Sequence, residues 1–70
     1  MKVAISNKTA HEWSAVCSQF GVSYEPVKQV EHYGIDGEAG YVISHYHVTD
    51  EHMANWIKII RPRWIVNEPA

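Results

Sequence analysis

Seventy residues make one domain at most, and a chain of that size buries only roughly 60% of its unfolded surface, so its core is marginal without a staple or a partner. One cysteine, Cys17, excludes an internal disulfide and leaves no Cys pair for a structural zinc, which makes self-association, as a homodimer, the expected extra support. The net charge of −2 argues against nucleic-acid or membrane-surface binding as the main role. No apolar run approaches ~18 residues and "MKVAISNKTAHEW" lacks a signal-peptide core, so a cytoplasmic protein is expected.

In chain order, "KVAIS" (2–6) alternates Val3 and Ile5 on one face and predicts a short strand. Thr9 and Glu12 have capping-box spacing, and Trp13, Val16, Cys17 and Phe20 follow as one apolar stripe. Gly21 stands where a left-handed residue ends a helix, so residues 10–20 are predicted helical. "VSYEPVKQVEHY" (22–33) reads as a strand that Pro26 confines to a sheet edge, and "GIDGEAG" (34–40) as a hairpin loop. "YVISHYHV" (41–48) gives the strongest strand signal. Thr49 then opens a second helix, with Asp50 and Glu51 in its first turn and Met53, Trp56, Ile57 and Ile60 as its stripe. Pro62 ends that helix, and "RWIVN" (63–67) predicts a last strand before a short polar tail, 67–70.

An offset of 40 residues carries Thr9 onto Thr49 and the first apolar stripe onto the second. Two strand–helix–strand halves joined by a hairpin predict one α+β domain over 1–70. The plan is ferredoxin-like βαββαβ, a four-stranded antiparallel sheet with two helices on one face. In that plan Pro26 and Pro62 fall on the two edge strands, where proline is tolerated.

Three of the five histidines lie in "SHYHVTDEH" (44–52). Alternation sends Val42, Ser44, Tyr46 and Val48 to one face, and Tyr41, Ile43, His45 and His47 to the other. The first set is the more apolar and belongs under the helices. That leaves the second set on the open face and His52 on the helix side. The three histidines therefore do not converge, and His45 and His47 read first as amphipathic residues on a half-wet surface. A strand His-x-His supplies two metal ligands at most; a third would have to come from His32 or Glu31, depending on register.

"HYHV" on a central strand resembles the HUH endonucleases, in which two such histidines bind a divalent metal and a tyrosine on a later helix attacks DNA. The resemblance implies His45 and His47 as ligands in a metal-dependent nuclease or phosphodiesterase. The helix that follows, "DEHMANWIKII", offers Asn55 and Trp56 but no tyrosine, and the chain is shorter than those domains. "AGYVISHY" resembles the aromatic strand of RNA-recognition domains, which implies a single-stranded nucleic-acid binder on the open face. Ala4 stands where a stacking aromatic would be useful.

No Gly-rich phosphate loop and no Ser-His-Asp pattern is present, and Cys17 sits on a buried stripe. The expectation is a non-catalytic protein–protein interaction module, with no cofactor and no metal. Three tryptophans and four tyrosines supply aromatic anchors beyond what so small a core needs. The expected binding residues are Tyr41, Ile43, His45 and His47 on the open face, with Arg61 and Arg63 as a basic cluster. In size and character such a chain resembles small regulators and inhibitors of larger enzymes, including those of viral origin made by bacteriophages. Another protein is the expected partner.

Overall fold

The computed structural model describes residues 1–67. Three strands, β1 (Lys2–Ser6), β2 (Lys28–His32) and β3 (Tyr41–His47), form an antiparallel sheet in the order β1–β3–β2. Two helices, α1 (Ala10–Phe20) and α2 (Glu51–Ile60), cover one face of it. β1 pairs Val3 with Tyr46 and Ile5 with Ser44, while β2 pairs Gln29 with Ser44 and Glu31 with Val42. Directly opposed residues share a face. Val3, Ile5, Ser44, Tyr46, Gln29 and Glu31 are therefore on the helix side, as alternation predicts for β3.

The fold is α+β, but the four-stranded ferredoxin-like sheet does not form. Arg63 and Trp64 of the expected last strand are taken up by a 3₁₀ turn, Pro62–Trp64, closed by Trp64 N–H to the Arg61 carbonyl and Ile65 N–H to the Pro62 carbonyl. Pro62 suits the first position of such a turn because it has no N–H to leave unsatisfied. What remains beside β1 is one bridge, Val3 to Ile65, and one hydrogen bond from Val66 N–H to the Lys2 carbonyl. The turn instead drives Trp64 into the core. The tail expected at 67–70 lies outside the described residues beyond Asn67.

The expected second strand is also shorter. Its first part, Val22 to Val27, is irregular, and pairing begins at Lys28, two residues after Pro26. The irregular stretch contributes Tyr24, whose phenol oxygen accepts hydrogen bonds from the N–H groups of Thr49 and Asp50 at 3.2 and 3.1 Å. α2 is capped by Asp50, not Thr49: its carboxylate accepts from Met53 N–H at 2.8 Å. The capping box at α1 does not form either. Thr9 Oγ1 donates to the Ser6 carbonyl, and Glu12 is drawn away to Arg61. A 3₁₀ turn, Asn7–Thr9, precedes α1 and is capped by the Ser6 hydroxyl. α1 ends as expected. Gly21 is left-handed, with its N–H bonded to the Ser18 carbonyl and Val22 N–H to the Cys17 carbonyl.

Under the helices, Val3, Ile5 and Val48 meet Trp13, Val16, Cys17, Met53 and Ile57. Trp13 is the hub: its ring lies 4.6 Å from Tyr46, 6.2 Å from Tyr24 and 5.9 Å from Trp64. Trp64 continues to Trp56 at 6.2 Å, and Trp56 to Phe20 at 6.3 Å. Trp56 is only half-buried, and Ile60 is exposed, so the outer half of the α2 stripe is not core. The β2–β3 hairpin turns at Asp36 and Gly37, both with positive φ, and Glu38 N–H closes it onto the Ile35 carbonyl. That Asp-Gly pair is the chemistry a tight hairpin turn demands.

Candidate functional site

The helix-free face of the sheet is built by alternation from all three strands. β3 places Tyr41, Ile43, His45 and His47 there, together as the sequence predicts. β1 adds Lys2, Ala4 and Ser6, and β2 adds Lys28, Val30 and His32. In register, Lys2 faces His47, Ala4 and Lys28 flank His45, Ser6 and Val30 flank Ile43, and His32 faces Tyr41. The His32 and Tyr41 rings stack at 4.7 Å with a 9° angle between planes, and Lys8, from the turn before α1, brings its Nζ within 5.7 Å of the Tyr41 ring centre.

The surface is therefore semi-apolar in the middle (Ala4, Val30, Ile43) and basic around it. Lys2, Lys8 and Lys28 are half of the chain's six lysines and arginines. The only carboxylate in any of the three strands, Glu31, belongs to the opposite face, where it accepts from the Tyr33 hydroxyl at 3.2 Å. The negative net charge is carried elsewhere, at the hairpin tip, before β2 and along the helices. Sequence reading missed the lysines. Lys2 has the same parity as Ala4, and Lys28 is fixed only once β2 is registered against β3.

Register places the third-ligand candidates that the sequence left open. The residues opposite His45 and His47 are Lys28 and Lys2, which oppose a cation. Glu31 is on the other face. His32 is level with Tyr41, about 13 Å along the strand from His45 at ~3.3 Å per residue. Among the described residues no group of three or more His, Cys, Asp or Glu side chains converges. His45 Nδ1 is buried without a hydrogen-bond partner, and burial, reinforced by Lys28 and Lys2, holds the imidazole below its ordinary pKa. Each of these causes disfavours the charged imidazole, and His52 lies in the first turn of α2, away from both.

Arg61 and Arg63 do not belong to this surface. Arg61 pairs with Glu12 across the ends of the two helices and donates to the Ile60 carbonyl, in a cleft of about 400 Å³ that also holds Arg63 and Trp64. The aromatic residues are not a surplus over what the core uses. All three tryptophans, with Tyr24 and Tyr46, form or pack against the core, and only Tyr33 and Tyr41 are exposed. Cys17 is buried, and burial raises its thiol pKa, so it is a poor nucleophile.

A second concavity, of about 560 Å³, opens on the helix side where α1 fails to reach β2; Gln29, Glu31, Ser44 and Tyr46 line it. Gln29 Nε2 donates to Ser44 Oγ, its neighbour on β3, at 3.1 Å along the sheet wall. Among the described residues no helix is long and apolar enough to cross a membrane. No protein-family model matches the chain, and neither a curated protein nor a solved structure shows a significant match to it.

Proposed function

We propose that the chain is a non-catalytic, cytoplasmic protein-binding module that lays its helix-free sheet face against an acidic surface of another protein, as a small regulator or inhibitor does. One observation carries this reading: a sheet face with lysines at its margins, apolar residues at its centre and no strand carboxylate, on a chain whose net charge is negative. Such segregation steers an anionic partner and fixes its orientation, and the apolar centre supplies the contact from which water is expelled. An acidic polypeptide fits better than a single-stranded nucleic acid. Tyr41, the exposed aromatic of the face, already stacks on His32 and neighbours Lys8, so a base would have to displace a ring that is in place.

The test uses a glutamate-rich peptide and a single-stranded oligonucleotide as probes, followed by amide chemical shifts. The peptide is expected to move resonances of Ile43, His45 and Val30. Lys8→Glu with Lys28→Glu should weaken it by about tenfold or more through lost charge complementarity. Binding of the oligonucleotide in place of the peptide sinks the protein-partner reading. Loss of peptide binding in Arg61→Glu with Arg63→Glu, with the lysine variant unaffected, moves the site to the helix ends.

A further inference from the structure

β2 ends the sheet, and none of the described elements packs along its outer edge. An open edge is a template for another strand. We propose that the strand it takes is β2 of a second copy of this chain, antiparallel, with Val30 on the two-fold axis.

The reason is the residue order in 28–32, "KQVEH". About Val30, Gln29 faces Glu31 of the second copy, and Lys28 faces its His32. Both members of each pair within the strand lie on one side of the sheet: Gln29 and Glu31 on the helix side, Lys28 and His32 on the open side. The amide of Gln29 donates to the carboxylate of Glu31 twice per dimer.

Neighbouring registers with the same symmetry are worse. Centring on Glu31 opposes two carboxylates, and centring on Gln29 sets the charged Lys28 against the apolar Val30. Lys28 and Glu31 look like charges that guard an edge against other strands. Against their own copy Glu31 meets an amide donor and Lys28 meets no second lysine, so neither is set against a like formal charge. The pairing joins the two three-stranded sheets into one of six strands, with both helix layers on the same side and both basic faces continuous. It uses the strand edge and leaves the open face uncovered, so it stands or falls separately from the acidic-partner reading.

Sedimentation over a wide concentration range, with tryptophan emission as the check on folding, tests it. The chain is expected to dimerise reversibly. Gln29→Glu places Glu opposite Glu twice and should weaken the dimer about five- to tenfold. Adding Glu31→Gln to that variant exchanges the two partners and should restore it. Val30→Cys puts a thiol on the axis, and with Cys17 buried it is the accessible one. It should oxidise to a cross-linked dimer, whereas Lys28→Cys, far from its own copy, should not. A chain that stays monomeric at every concentration overturns the proposal. So does a dimer that Gln29→Glu leaves intact, or one that cross-links through Lys28→Cys and not through Val30→Cys.

Discussion

The two faces of this sheet are made from the same fifteen to twenty residues read at alternate positions, yet they obey different constraints. On one side Val3, Ile5, Tyr46 and Val48 meet two helices and a ring of indoles, and each side chain is fixed by its neighbours. On the other, lysine, histidine and small apolar residues lie in register without a covering layer. The difference separates the residues that hold the fold from those left to recognise something. A change on the first face should be read as stability, and one on the second as binding.

The largest expected effect tests the covered face at its hub. Trp13→Ala should cost about 3–5 kcal/mol, which is most of what a domain of this size has. Half-buried Trp56→Ala should cost less, and urea unfolding that ranks them the other way would misplace the core. Next comes Tyr24→Phe, which strips the acceptor from two N–H groups ahead of α2 and should cost about 1–3 kcal/mol. If α2 remains as protected from hydrogen exchange as before, the phenol is not what anchors its start. On the open face, Tyr41→Ser with Ile43→Thr should shift stability by only about 1 kcal/mol, while abolishing binding of the acidic peptide. Equal losses of both would erase the distinction between the faces.

The smallest effect is a pH dependence from His45. Its folded pKa is depressed, so between its unfolded value and that lower value the unfolded chain binds more protons. Stability contributed by the neutral imidazole is therefore whole above the unfolded pKa and falls as the pH drops through the window below it. His45→Gln should flatten that slope in denaturant midpoints measured across mildly acidic pH. An unchanged slope would mean that burial and the two lysines exert no net effect on the ring.

Much of this was legible in the residues. Period-two alternation in 41–48 assigned both faces of β3 correctly, and the stripe from Trp13 to Cys17 with Gly21 after it set the first helix to the residue. What failed was whatever depended on a competitor for the same group. Glu12 was expected to cap α1, but a guanidinium from the other helix takes it. Thr49 has capping chemistry, yet Asp50 beside it has the stronger acceptor. The expected last strand was lost because Trp64 gains more by burial against two other indoles than Arg63–Trp64 would gain as edge ladder. The basic character of the open face was hidden because only register brings Lys28 beside His45, and Lys8 reaches the Tyr41 ring from a turn outside the sheet.

The chain of indoles has an optical consequence. Trp13, Trp64 and Trp56 lie in sequence within about six ångströms of one another, tilted rather than parallel, which is the arrangement in which neighbouring transition dipoles couple. Their absorption bands should split into a pair of opposite sign in the circular dichroism spectrum, superimposed on the backbone signal of a small protein with two short helices. Helix content taken from that spectrum would be biased. The couplet itself would report directly on whether Trp64 is seated, vanishing in Trp64→Phe while the amide bands persist. Excitation passed among the three rings should likewise depolarise their fluorescence, so the anisotropy would fall below what the tumbling of so small a particle dictates.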